Sequence, residues 1–329
     1  MNTSVRLRPS TTLLRTHSLI GLEKGPRLLV LGAVHGNEVC GSQAIERILG
    51  EFERGELNLL RGQLSFVPIT NPLAYHLKQR NGDRNLNRNL RPAAEPVDFE
   101  DRIGNALCPL LEAHDVLLDL HSFQAGSEPF AMLGPRNNSG ALEPFNHAAD
   151  EEALVTRLGV RRIVEGWLDT YARGVQRRLA YPDASLRAQM LSTDPSYGVG
   201  TTEYMRAHGG YAATLECGQH DDPQAPETAY RAIRNTLALL GLIDAPVPAP
   251  QQVPEVLRLI DVIDRMHPDD SFVRPWKSFD PVRAGEVVGT RHDGTQVCAP
   301  ADGFIVFPNI KAAPGNEWFY FAQHSDRKL

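Results

Sequence analysis

Residues 27–34 read RLLVLGAV, and after the first arginine no polar side chain interrupts the run. A strand with one wet face alternates apolar and polar residues, so an unbroken run this short predicts a strand covered on both faces, as in a parallel sheet. The segments around it repeat the theme. VCGSQAIERILGEFERG carries apolar residues at helical spacing and stops at Gly55. QLSFVPI (63–69) reads as a second strand ended by the turn pair Asn71-Pro72, and DVLLDL (115–120) as a third after a helix over about 98–113. YAATLE (211–216) closes the core, followed by a helix over about 226–241. Strands alternating with helices predict an α/β fold, with a mixed, largely parallel sheet flanked by helices.

Between Gly134 and Gly200 the pattern predicts a long insertion with helices around 141–158 and 161–180. The stretch DPSYGVGTTEYMRAHGG then reads as a loop, a short helix and a glycine stop. Pro246, Pro248, Pro250 and Pro254 mark a linker over 246–254. Beyond it, GEVVGT, TQVCAP and GFIVFP are short β-rich runs separated by glycine turns. The expected organisation is therefore an α/β domain over 1–245 and a small C-terminal β-rich domain over 255–329.

At 42% hydrophobic and 22% charged residues, the chain has the make-up of a packed globular protein. Its net charge of -6 argues against a nucleic-acid partner, and no apolar run is long enough to span a bilayer. Arginines interrupt every apolar stretch of the first 25 residues, so no secretory signal is expected there. Cys40, Cys108, Cys217 and Cys298 are scattered without a C-x-x-C pair, which suits buried thiols in a reducing compartment. A cytoplasmic protein without a membrane partner is expected, and a homo-oligomer is compatible with this composition.

The polar residues worth attention fall at strand ends. His35 and Glu38 follow the first core strand, His121 follows DVLLDL, and Glu216 ends YAATLE. In open α/β sheets, sites form outside the carboxyl ends of the strands. H-x-x-E sets an imidazole and a carboxylate about one helical turn apart, and a histidine from another strand completes a two-His, one-Glu set suited to catalytic zinc. Such an ion activates water and polarises a carbonyl. An unligated carboxylate must then move the proton, and Glu216 is the candidate. A lone H-x-x-E or DLHS arises often by chance; their joint arrival at neighbouring strand ends gives the pattern its weight.

A second constellation, RNGDRNLNRNL at 80–90, holds Arg80, Arg84 and Arg88 within nine positions of an acidic protein. It reads either as a solvated loop or as a carboxylate clamp, since guanidinium forks bind carboxylates bidentately. Other residues invite blander readings. Cys217, next to Glu216 on a strand, points to the opposite face and suits the core. His220, Asp221 and Asp222 read as a solvated turn, His114 lies at the wrong end of its strand, and Ser122 could orient His121.

GAVHGNE, NLNR, DLHS and a strand-ending LECG, in this order, resemble the succinylglutamate desuccinylase/aspartoacylase family of carboxypeptidase-like zinc amidohydrolases over most of residues 27–240. The resemblance implies that His35, Glu38 and His121 ligate one zinc ion per chain and that Glu216 is the catalytic glutamate. It implies that Arg80 polarises the scissile carbonyl and that Asn87 and Arg88 hold the substrate α-carboxylate. Arg206, ten residues before Glu216, is similar to a further carboxylate-binding arginine of the family. The 94 residues between His121 and Glu216 exceed the spacing in better-known members, so the insertion is expected to reshape the substrate pocket. The C-terminal module is expected to help close the site, with Tyr320 as one contributor.

The expected activity is zinc-dependent hydrolysis of a small-molecule N-acyl amino acid or similar amide. A metallocarboxypeptidase acting on peptides would use the same ion and clamp but an open cleft. A non-catalytic binding protein on this fold would be expected to lose a ligand or the base, and none is missing here.

Overall fold

The computed structural model describes residues 13–181 and 194–329. The first part of the arginine-interrupted N-terminal stretch, and residues 182–193 within the predicted insertion, lie outside the described residues.

Eleven of the described strands form one sheet. Its parallel centre comprises β2 (Arg27–Gly32), β3 (Gln63–Val67), β4 (Val116–Phe123) and β7 (Tyr211–Gln219) in the order β3-β2-β4-β7, with β1 (His17–Ile20) antiparallel on the outer edge. Beyond β7 come β5 (Phe130–Leu133), antiparallel to it, then β6 (Arg162–Glu165) and β8 (Glu255–Asp264), parallel to β5. β14 (Glu317–His324), β13 (Gly303–Val306) and β10 (Pro281–Val282) complete the sheet in antiparallel fashion. β9 (Ser271–Phe272), β11 (Val287–Thr290) and β12 (Gln296–Cys298) make a small second sheet.

β2 shows why this sheet is buried on both sides. Leu28 and Val30 pack into one core with α1 (Cys40–Glu53) and α7 (Ala225–Leu239), whereas Leu29 and Leu31 enter another with α3 (Phe99–Glu112) and α6 (Thr201–Ala207). The same alternation sorts β7: Leu215 and Cys217 lie in the first core, leaving Thr214 and Glu216 on the opposite face. Cys217 is thus a core thiol.

Several boundaries differ from the sequence expectation. The predicted helix over 161–180 begins as β6, and Gly166, at φ 87°, turns the chain into α5 (Trp167–Ala180). The predicted helix over 141–158 shortens to α4 (Ala148–Val155). Asn71 does more than make a turn: its side chain accepts the Ala74 amide and starts the short helix α2 (Pro72–Leu77). The β-rich C-terminal segment does not stand apart after its proline linker, because β8 pairs with β6 and extends the main sheet. Among the described residues no helix is long and apolar enough to cross a membrane.

Candidate metal centre and its cavity

The turn after β2 carries His35 and Glu38. Gly36 sits so close to α2 that an added Cβ would lie 1.9 Å from the Ala74 carbonyl carbon, so only glycine allows the turn to nest there. His121 and Glu216 are paired in register on β4 and β7. Both lie inside their strands, which run on to Phe123 and Gln219, rather than just beyond them.

These elements bring His35, Glu38 and His121 together, fully buried, with one ligand atom of each within 4.8 Å of the others. His35 Nδ1 lies 3.0 Å from Glu38 Oε1, and His121 Nδ1 lies 2.9 Å from Glu38 Oε2. Each imidazole is held from behind. His35 Nε2 meets Asn85 Oδ1 at 3.0 Å, and that oxygen also accepts the Asn87 amide, so it is the acceptor and His35 Nε2 carries the proton. His35 Nδ1 is therefore a bare lone pair facing a carboxylate oxygen, and it has no hydrogen-bond partner. Two acceptors at that distance repel unless a cation lies between them. His121 Nε2 lies 2.9 Å from Asp119 Oδ2, an ion-pair contact without hydrogen-bond geometry that places a carboxylate behind the ring. Asp119 in turn accepts the Thr201 hydroxyl at 2.5 Å. The residues present fit a divalent cation on donor chemistry and on this orphaned nitrogen.

The electrostatics agree. Burial, and then the Arg80 charge, lower His35 to a pKa of about 4, keeping it neutral as a ligand must be. Burial works against the Glu38 carboxylate, but His35, Arg80 and His121 overcome it and hold the pKa well below the usual range. His121 is raised well above its ordinary value because Asp119 and Glu38 outweigh its burial. Two buried carboxylates thus demand positive charge at this point.

Around the centre opens a cavity of about 760 Å³ lined by Arg80, Asn87, Arg88, Glu216 and Tyr320 among others. Glu216 Oε2 is buried without a hydrogen-bond partner. Burial pushes its carboxyl up to about 7, against the pull of His121. Arg80, half-exposed, donates from Nη1 to Glu38 Oε1 at 2.6 Å. The Arg88 guanidinium lies over the Trp167 ring at 4.6 Å, with its Nη2 3.7 Å from Glu317. Asn87 Oδ1 accepts the Thr201 amide at 2.8 Å. The Tyr320 hydroxyl, from the C-terminal strands, is buried without a partner beside them.

Not every sequence candidate sits at the centre. Arg84 is a scaffold residue: it binds Asp98, Asp101 and the carbonyls of Asn85 and Arg88. Arg206 lines the cavity, but its guanidinium is engaged by Glu151, Glu143 and the Ala212 carbonyl. It offers no open fork to a substrate carboxylate. His220 is no solvated turn residue. It lines the cavity, with Nδ1 2.8 Å from Ser122 Oγ and Nε2 3.3 Å from Asn37 Nδ2, while the Ser122 amide donates to Glu38 Oε2 at 3.1 Å. Asn85, Asp119 and Glu100 escaped the sequence reading. Of these, Asp119 alone left a signal, standing two residues before His121 and hence on the same strand face.

Residues 24–155 match the model of the succinylglutamate desuccinylase/aspartoacylase catalytic domain. No curated protein matches the chain. Among solved structures, the fold is similar to the ectoine utilization protein of Ruegeria pomeroyi in its product-bound form, at 18% identity and TM-score 0.68, covering 94% of this chain and 89% of that one. A succinylglutamate desuccinylase/aspartoacylase from Rhodobacter sphaeroides gives 18% identity and TM-score 0.68 over 95% and 89% of the two chains. A succinylglutamate desuccinylase from Vibrio parahaemolyticus gives 19% and 0.67 over 94% and 86%. The region that carries His35, Glu38 and His121 is therefore similar to the catalytic domain of the succinylglutamate desuccinylase/aspartoacylase family.

Proposed function

We propose that this protein is a zinc-dependent deacylase that hydrolyses the amide bond of a small N-acyl amino acid, releasing a carboxylate and a free amine. The observation that carries the reading is the bare Nδ1 of His35 facing Glu38 beside His121, with the unpartnered Glu216 carboxylate opening into the same cavity. His35, Glu38 and His121 would hold the ion, which supplies Lewis-acid polarisation of the acyl carbonyl and activation of water when bound.

The remaining work falls to side chains. Glu216 takes the proton from the attacking water and delivers it to the departing nitrogen. Its burial keeps its proton affinity high enough for both transfers. Arg80, half-open to the cavity, faces the negative charge that develops on the acyl oxygen. Asn87 and Arg88 hold the α-carboxylate, Arg88 being braced against Trp167 so that its fork arrives ordered. Replacing Glu216 by Gln keeps the shape and removes the base. The variant should retain bound metal and lose turnover by about 10²–10⁴-fold. A Glu216→Gln protein that hydrolyses acylated amino acids at near wild-type rates would rule out this role.

A further inference from the structure

Arg206 stands on α6 at the end of the cavity next to the Asn87–Arg88 loop. Its Nε and Nη2 each donate to Glu151 at 2.9 Å, and Nη2 also reaches the Ala212 carbonyl at 3.2 Å. Its Nη1 donates to Glu143 at 3.0 Å and lies 3.5 Å from Glu203. One cation thus faces three carboxylates. Glu151 is further held by the amides of Gly134 and Ala212, but Glu143 and Glu203 both line the cavity. Burial above all, with Glu203 and Glu151 adding to it against the pull of Arg206, pushes the Glu143 carboxyl up to about 7.

The position of this lobe relates it to one part of a substrate. Glu203 accepts the Gly200 amide at 3.0 Å, and the next residue, Thr201, donates its amide to Asn87 Oδ1. The acidic lobe is therefore built on the same short segment that abuts the clamp. With an α-carboxylate in the clamp, Glu143 and Glu203 become cavity walls beside the bound amino acid.

We propose that this site takes N-acyl amino acids whose side chain is neutral or cationic and turns away those with a second carboxylate. The inference rests on the deacylase reading above and narrows its substrate class. An arginine free to fork would attract a second carboxylate. Here its donors are already taken by Glu151, Glu143 and the Ala212 carbonyl, and an incoming anion would meet the Glu203 and Glu143 carboxyls instead.

The test compares isosteric pairs: N-acetyl-asparagine against N-acetyl-aspartate, and N-acetyl-glutamine against N-acetyl-glutamate. Binding of free asparagine and aspartate, measured by calorimetry, supplies a readout independent of turnover. The neutral member should be favoured about tenfold or more in kcat/KM, with binding in the same order. Glu143→Gln and Glu203→Gln should each shrink that ratio by admitting the dicarboxylate. Thermal melting checks that the variants fold; should Glu203→Gln be unstable, Glu143→Gln, whose side chain comes from a loop, suffices. Preference for the dicarboxylates, or a ratio unmoved in folded variants, overturns the proposal. If no amide is cleaved but asparagine still binds better than aspartate, the hydrolytic reading fails and the charge selection stands. If nothing is cleaved and neither amino acid binds, both fall.

Discussion

His35 and His121 face one carboxylate from two sides, yet their surroundings drive them apart. His35 is backed by the neutral Asn85, and its burial, then the nearby Arg80, keeps it uncharged; His121 is backed by Asp119, which draws a proton or a cation toward it. Asp119 is therefore the residue behind the ligands with most to lose. Asp119→Ala should weaken zinc affinity by about 10–100-fold while leaving the fold intact, measured by competition with a chelating dye. Unchanged affinity would mean that Asp119 serves only its bond to Thr201. The candidate ligands were legible because H-x-x-E and DLHS, each common alone, arrive together at neighbouring core strands. Asn85 was not legible: it lies in an asparagine-rich loop, where nothing in the sequence distinguishes the one side chain that meets His35.

The loop from Arg80 to Arg88 shows how an element can be ordered without secondary structure. The buried Glu100 carboxylate accepts the amides of Gly82, Asp83 and Arg84 and the Asn71 side chain. Arg84 then locks the other side of the loop to Asp98 and Asp101. A glutamate in the first turn of a helix looks like ordinary dipole compensation, so its role as a loop anchor could not be read in advance. β6 was missed for a different reason. Its apolar pair, Ile163 and Val164, fits a helical period as well as a strand, and four residues are too few to decide.

An anchor of the same kind organises the small second sheet. Asp270 accepts the amides of Met266, His267 and His292 and pairs with Arg291 at 2.8 Å. Burial alone would raise its pKa, but Arg291 and these amides win and hold it at about 2. A carboxyl depressed on folding stabilises the protein fully above its unfolded value near 3.8, and that contribution fades as pH falls toward about 2. Asp270→Asn should cost roughly 2 kcal/mol at neutral pH, and the gap in Tm to wild type should narrow as the pH drops from about 6 to about 3. A gap independent of pH would assign the loss to packing instead.

At the scale of the whole molecule, the main sheet is continuous from β1 to β10, so β14, which carries Glu317 and Tyr320 to the cavity, belongs to the same sheet as β2 and β4, which position His35, Glu38 and His121. The proline linker made the two parts look separable. Strand pairing is set by which edges meet, and the β6–β8 partnership leaves no trace in either strand alone. The α/β class and the places of the core strands along the chain were legible because parallel strands buried on both faces need apolar runs, whereas their order in the sheet was not. This frame sets His35 and Glu38 in the turn after β2 beside His121 of β4, the group proposed to hold an ion. Metal content by mass spectrometry, on wild type and His121→Ala purified without added metal, tests that proposal most directly. About one zinc per wild-type chain is expected, and its loss in the variant. A metal-free wild type that takes up no zinc tightly, or a variant that keeps its metal, would contradict it.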